Sequence, residues 1–234
     1  MRRACGALSA VVLVALTACG GSNPADSYKK TDPKTILSDA HTALDALSSV
    51  HVTGSVMWGN EPVTLDLTSD KSGNLTGSVT FNGLPADVIV SAGHSYLRPS
   101  DALAAKFFSV PAQVAAAKGK WIIDLPAVLE GLSSDSLKTM IEAAAKDNLA
   151  AGNPTVTGTS SVNGVATVQV TVSDAATQSS EVLDVQAAAP HNVLKQEDDA
   201  LKATLMFDRF NAPVSVAVPA AADIVTLAQI TSHK

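Results

Sequence analysis

The stretch "PVTLDLTSDKSGNLTGSVTFNGLPADVIVS" (62–91) decides the fold class, because its apolar residues recur at every second position. Val63, Leu65 and Leu67 alternate with threonine and aspartate. A period of two predicts β-strands that have one apolar and one polar face. The dipeptide Asn82-Gly83 is the strongest short signal for a hairpin turn. The stretch therefore predicts an antiparallel meander with one face in water.

A helix and a further strand are predicted before this meander. The segment "TDPKTILSDAHTALDALSS" (31–49) has apolar residues at helical spacing. Asp32 is a good N-cap, and Pro33 suits the first helical position. His51 to Trp58 follows as the predicted first strand of the sheet.

From Ser100 to Asn148 the chain changes to helical periodicity and is rich in alanine. It predicts two short helices that are interrupted at Pro111. "KGKWIIDLP" (118–126) predicts a short strand, and "SSDSLKTMIEAAAKDNLAAGNP" (133–154) predicts a capped helix. These helices supply apolar faces that could cover the sheet.

Strands resume after residue 153, with a second hairpin signal at Asn163-Gly164. The last predicted strand is "APVSVAVP" (212–219), and a final helical turn is predicted within 221–230. About nine or ten strands in all are near the limit at which an open twisted sheet curls. We therefore predict an α+β fold, a strongly curved antiparallel sheet forming a half-barrel with helices packed on its concave face.

The start of the chain predicts export and lipidation. Arg2 and Arg3 precede an apolar run over 8–16, which is the layout of a secretory signal and is too short to span a bilayer. "LTAC" (16–19) matches the lipobox of bacterial lipoproteins, in which the Cys19 thiol accepts diacylglycerol before cleavage. The alternative is an ordinary cleavage site that merely lies near Cys19.

Three regions follow from this prediction. Residues 1–18 form the signal peptide, residues 19–30 a lipidated flexible tether, and residues 31–230 a single domain. An acylated Cys19 would place the protein on the extracytoplasmic face of the cell membrane. We expect a monomer.

Composition limits the partners. The net charge of −6 argues against nucleic acid as a partner and against electrostatic binding to anionic headgroups. Charged residues make up 16% of the chain, below the usual value of about 25%, so much of the surface must be neutral. The only cysteines are Cys5, inside the signal, and Cys19, so we expect neither a disulfide nor a thiolate metal site.

The sequence contains no complete catalytic or metal-binding motif. The five histidines stand at no metal-ligand spacing, and His51 is interpreted as an ordinary surface or partly buried residue. "GHSYL" (93–97) lacks the second glycine of a nucleophile elbow. "EDD" (197–199) is interpreted as a solvated turn. We therefore predict no catalytic residue, no metal and no cofactor, and a binding protein in preference to an enzyme.

Several phrases together resemble the LppX/LprAFG family of mycobacterial lipoproteins, relatives of the LolA and LolB lipoprotein carriers. They are "ALSSVHVTGSV" (46–56), "SYLR" (95–98), "KGKWI" (118–122) and "FDRFNAPVSVAVP" (207–219). The resemblance implies a LolA-like half-barrel that encloses an apolar cavity. It also implies that acyl chains of a lipid or lipoglycan are bound there and carried in the cell envelope, with an envelope transporter as a possible partner.

The candidate lipid-binding residues are the apolar side chains expected on the inner wall. They are Val52, Val56, Leu65, Leu67, Val79, Phe81, Val88, Val90, Tyr96, Trp121, Met140, Ile141, Val168, Val170, Leu205 and Phe207. The same residues would serve a plain core. The alternative is therefore that the helices fill the interior, and that the protein is a non-catalytic interaction or regulatory subunit of an envelope complex with no lipid ligand.

Overall fold

The computed structural model describes residues 23–58, 60–124, 153–174 and 179–233 of the 234-residue chain. Within these ranges twelve strands form one curled sheet, which confirms the predicted α+β fold. The strands are β1 (Ser49–Trp58), β2 (Glu61–Asp70), β3 (Leu75–Phe81), β4 (Leu84–Ser91), β5 (His94–Pro99), β6 (Trp121–Ile123), β7 (Asn153–Val162), β8 (Val165–Asp174), β9 (Ser179–Gln186), β10 (Val193–Asp198), β11 (Ala203–Asp208) and β12 (Ile224–Thr226).

Five α-helices accompany the sheet within the described ranges. They are α1 (Pro24–Tyr28), α2 (Pro33–Asp45), α3 (Asp101–Phe107), α4 (Pro111–Ala117) and α5 (Leu227–Thr231). As predicted, Asp32 caps α2, accepting a hydrogen bond from the Lys34 amide at 2.9 Å. Pro111 separates α3 from α4 by starting the second helix. The capped helix predicted from residue 133, ending at Gly152, lies outside the described residues.

The strand order is β12-β6-β5-β4-β3-β2-β1-β11-β10-β9-β8-β7. Two meanders thus lie side by side and join where β1 pairs with β11. Neighbouring strands are antiparallel except at one edge, where β12 pairs in parallel with β6. The predicted antiparallel sheet thus includes one parallel pair, at this edge. The tail of the chain returns there as a strand, and its alternation alone did not indicate a direction of pairing.

Both predicted hairpin turns are confirmed by the backbone. Asn82 and Gly83 have φ of 47° and 81°, and Asn163 and Gly164 have φ of 50° and 80°. Two consecutive positive φ values are those of a type I′ turn, which matches the twist of the flanking strands. These turns fix the registers of β3 with β4 and of β7 with β8.

Two glycines allow neighbouring strands to approach closely in the middle of the sheet. Gly54 in β1 and Gly77 in β3 have φ of 148° and 150°. A Cβ at Gly54 would lie 2.0 Å from the Thr204 carbonyl oxygen, and one at Gly77 would lie 2.1 Å from that of Asp66. Glycine in a strand interior often marks a bend or a close backbone approach. We interpret both as positions where the sheet curls.

The amino-terminal boundary differs from the prediction. Part of the predicted tether (19–30) forms α1, in which Ala25 is fully buried. The Tyr28 hydroxyl donates to Asp39 Oδ2 at 2.8 Å, and its ring stacks on His191 at 4.4 Å between centroids. The folded part therefore begins before residue 30. Asn23 caps this helix and Pro24 begins it, as Asp32 and Pro33 do for α2. A helix of five residues is nevertheless too short to be stable alone, so it depends on the tertiary contacts of Tyr28.

The carboxy-terminal prediction was wrong in part. Residues 212–219 form no strand. Pro213 and Pro219 bound this segment and lack the N–H groups that a ladder requires. Within 221–230 the predicted helical turn is confirmed by α5, whereas the preceding residues form a short 3₁₀ turn and β12.

Candidate functional site

One face of the sheet carries the apolar residues, and we call it the inner face. Directly opposed residues in paired strands share a face. One cross-strand row therefore follows the inner face through eight strands. It runs through Ala86, Val79, Leu65, Gly54, Leu205, Gln196, Leu183 and Val170.

The inner-face residues form two apolar clusters. The large cluster extends over β1 to β6 and β11, and includes residues of α3, α4 and α5. The small cluster joins β8 and β9 to α1 and α2. Val193 packs against both. The two groups of helices thus pack at opposite ends of the same face, with α3 on β4 and β5, and with α1 and α2 on β7 and β8.

Most of the predicted cavity residues come together on this face. The large cluster contains Val52, Leu65, Leu67, Val79, Val88, Val90, Leu205 and Phe207, with Val56 and Phe81 half-buried against it. The small cluster contains Val168 and Val170. Met140 and Ile141 lie outside the described residues.

Tyr96 and Trp121 lie on the other face of the sheet, which corrects their assignment to the inner wall. Their neighbours Leu97 and Ile122 belong to the large cluster, and successive side chains in a strand point to opposite faces. The Arg98 guanidinium lies over the Trp121 ring, 4.7 Å from its centroid. Both residues were candidates for the inner wall because their side chains are largely apolar. The alternation of side chains along a strand decides which face each one occupies.

Three polar residues interrupt the inner face between the two clusters. Glu181 in β9 lies directly opposite Asp198 in β10, and Gln196 lies opposite Leu183. Glu181 is 6% exposed and Gln196 is 4% exposed. Gln196 Oε1 is buried and has no hydrogen-bond partner in the part of the chain described here.

Burial and, to a smaller extent, the nearby Asp198 carboxylate raise the pKa of Glu181 to about 8, although a hydrogen bond with Gln196 acts in the opposite direction. Sequence reasoning missed this group. "EDD" (197–199) was interpreted as a solvated turn, yet Asp198 still belongs to β10 and faces Glu181. In the segment "HNVLKQED" the last four residues are all polar, so the period of two is lost there. The sequence therefore did not indicate which of these residues face the interior.

His51 on the outer face was also misjudged. Its side chain is 5% exposed. Nδ1 lies 2.5 Å from Asp208 Oδ1, and Nε2 lies 2.8 Å from Asp66 Oδ1. Both ring nitrogens thus lie within hydrogen-bonding distance of a carboxylate oxygen. The side chain links β11, β1 and β2, a structural role that its position at the start of a strand did not indicate.

A cleft of about 380 Å³ lies where β4 begins and β5 ends. Its lining is largely polar or proline and consists of Pro85, Ala86, Asp87, Arg98, Pro99, Ser100, Asp101 and Gly119. It is not the apolar interior that the sequence predicts. Among the described residues, no group of three histidine, cysteine or acidic side chains has a geometry for binding a metal ion.

No family model and no curated protein matches the chain. Within the ranges described, no helix has the length and apolarity needed to cross a bilayer.

Two solved structures have a similar fold. LprF from Mycobacterium bovis aligns over 86% of this chain and 100% of its own, with a TM-score of 0.54 and 17% identity. The Mycobacterium tuberculosis lipoprotein LppX aligns over 80% of this chain and 100% of its own, with the same TM-score and identity. The chain therefore has the fold of the mycobacterial lipoproteins LprF and LppX, as the resemblance in its sequence predicted.

Proposed function

We propose that this chain is a membrane-anchored lipoprotein that binds the acyl chains of a lipid or lipoglycan against its inner face and carries them in the cell envelope. The observation that supports this most is the apolar inner face of the curled sheet, which carries two hydrophobic clusters and has helices grouped at its two ends. The fold shared with LprF and LppX adds support.

The energetics favour an apolar guest wherever the inner wall and the helices separate. A Leu-sized side chain that is left in water costs about 1.5–3 kcal/mol relative to a buried one. The inner wall has many Leu-sized side chains, including Leu65, Leu67 and Leu205, which are buried in the fold. Val56 is only partly covered at the rim of the large cluster. We propose that acyl chains enter beside Val56.

Transfer of a lipid would need no reaction catalysed by this protein. Acylated Cys19 would hold the domain at the membrane surface, since two or more acyl chains anchor a protein stably. Acyl chains would then partition between the membrane and the inner face, and contact with an acceptor would release them. The direction of transport would come from the acceptor, in keeping with a binding protein and not an enzyme.

Native lipid content tests the proposal. The whole chain carrying Cys19→Ser is purified from its native host, so that its own acyl anchor contributes no lipid, and an organic extract is analysed by mass spectrometry. We expect about one lipid per protein. A clean extract, together with no uptake of a fluorescent fatty-acyl probe, would overturn the carrier function and favour the interaction module.

A matched pair of variants locates the binding. Val56→Trp adds a bulky ring on the inner face, and Ser55→Trp adds the same ring at the next residue, which is exposed and points to the outer face. We expect Val56→Trp to reduce uptake of the fatty-acyl probe by about tenfold, equivalent to 1.4 kcal/mol, and Ser55→Trp to leave it unchanged. Equal uptake by both variants would contradict binding at the inner face.

A further inference from the structure

The three polar residues of the inner face lie where an apolar wall would be expected. Resting on the proposed function, we propose that Glu181, Gln196 and Asp198 form a polar subsite that binds an uncharged, hydroxyl-bearing headgroup, such as a glycosyl or glyceryl group, of the bound lipid. We call these three residues the polar subsite.

The position of Gln196 is the first argument. It stands in the apolar cross-strand row between Leu205 and Leu183, and those two residues belong to the large and the small cluster respectively. A headgroup at Gln196 would therefore have apolar wall on both sides. Acyl chains could extend over either cluster while the headgroup stays at one place.

The second argument is the buried amide oxygen. Gln196 is 4% exposed, and its Oε1 has no hydrogen-bond partner among the residues that the structure describes. Folded proteins pair the large majority of their buried polar side-chain atoms, so an exception requires an explanation. A ligand hydroxyl that donates to Oε1 would supply the partner.

The third argument is the match of donors and acceptors. A hydroxyl both donates and accepts, so it suits a site that contains an amide oxygen and a protonated carboxyl group. With its pKa raised to about 8, Glu181 is largely protonated at neutral pH and can donate. Asp198 lies opposite Glu181 in the neighbouring strand. Its Oδ1 accepts a hydrogen bond from the Leu201 amide at 2.9 Å, so Oδ2 is the oxygen that would accept from a ligand hydroxyl. The negative charge of Asp198 disfavours a phosphate or sulfate headgroup, since like charges repel.

Two synthetic lipids with identical chains provide the test: monoglucosyl dioleoylglycerol, and 1,2-dioleoyl-3-acetylglycerol, which has no hydroxyl group. Binding is measured on the whole chain carrying Cys19→Ser. We expect the glucosyl lipid to bind the more tightly. Gln196→Leu should weaken its binding about tenfold and leave binding of the acetylated lipid unchanged.

Gln169→Leu is the matched control, because Gln169 lies opposite Asp184 on the outer face of the same sheet. It should change neither affinity. Gln196→Leu removes a buried polar group whose oxygen has no described partner, so we expect it to fold. Circular dichroism and thermal unfolding verify this.

Asp198→Asn gives a readout that does not depend on Gln196. Removing its negative charge should strengthen binding of dioleoyl phosphatidylglycerol, an anionic lipid with the same chains, about threefold. No gain in that binding would contradict the role assigned to Asp198.

The outcomes separate the subsite from the carrier function. If neither neutral lipid binds, the proposed function fails together with the subsite. If both bind equally and Gln196→Leu has no effect, the subsite is overturned while the carrier function stands. Tighter binding of dioleoyl phosphatidylethanolamine, abolished by Glu181→Gln, would assign the site to amines and overturn the preference for hydroxyl groups.

Discussion

At the scale of single residues, the most informative feature is a titratable side chain among apolar neighbours. Glu181 shares the inner face with Leu183 and Val185 and is buried there, with 6% of the residue exposed. A buried carboxyl group prefers its neutral form, because the charged form loses hydration. This preference makes stability depend on pH.

Glu181 should make the protein less stable as the pH rises. Its pKa is about 8 in the fold and near 4.5 in the unfolded chain. Below the unfolded value the carboxyl group is protonated in both states. Between the two values the unfolded chain releases the proton while the fold retains it, so unfolding becomes steadily more favourable up to about pH 8. The total is on the order of a few kcal/mol, at about 1.4 kcal/mol per pKa unit.

Urea unfolding at pH 5, 6.5 and 8 checks this prediction with Glu181→Gln, which cannot ionise. The variant should gain stability relative to the natural chain as the pH rises. Glu197→Gln is the control, since Glu197 is half-exposed and pairs with Lys195 at 2.6 Å. Parallel pH profiles for the natural chain and Glu181→Gln would contradict the prediction.

His51→Leu should lower the free energy of unfolding by about 1–3 kcal/mol, because it removes two charge-assisted hydrogen bonds from a buried ring. The Asp66 and Asp208 side chains are 67% and 51% exposed, so water can solvate them afterwards and limit the loss. Denaturant unfolding measures the change.

His41→Leu is the control for this substitution. His41 pairs with Asp45 at 3.3 Å along one helix, and such a pair contributes at most about 0.5 kcal/mol. Equal effects of the two substitutions would mean that the contacts across β11, β1 and β2 contribute no more than this helical pair.

At the scale of elements, the sheet depends on close approaches between strands. Gly54→Ala and Gly77→Ala should each destabilise the protein by about 2–4 kcal/mol, because the new methyl group would overlap a backbone carbonyl that cannot rotate away. Gly158→Ala is the control. Its Cβ would approach only the Gln169 side-chain oxygen, at 3.3 Å, and should cost under about 1 kcal/mol. Thermal or urea unfolding ranks the three variants, and equal costs would contradict the proposed bends.

Some helices and strands could be predicted from their local sequence, and others could not. The turn at Asn82-Gly83 was predictable, because a type I′ turn depends on those two residues alone. The helix α1 was not predicted, because it has only five residues and its last residue, Tyr28, is held by tertiary contacts with Asp39 and His191. The segment 212–219 alternates like a strand, but its two prolines lack the N–H groups that a ladder requires.

At the scale of the whole molecule, attachment to the membrane rests on Cys19. We predict that the chain fractionates with membranes and that its mature amino terminus is Cys19 carrying diacylglycerol. Cys19→Ser should move the protein to the soluble fraction. Mass spectrometry of the amino-terminal peptide checks the modification, and a mature chain that begins at another, unmodified residue would contradict it.

The sequence by itself determined the strand periodicity, the two hairpin turns, the cap of α2 and most of the inner-face residues, because each depends on spacing within a few positions. Only the tertiary structure decided that β12 joins the edge of the sheet, that Tyr96 and Trp121 face outward, and that Glu181, Gln196 and Asp198 meet between two apolar clusters. Those facts depend on register between strands that are distant in the chain. A shift of one residue in register reverses every face, and no local pattern records it.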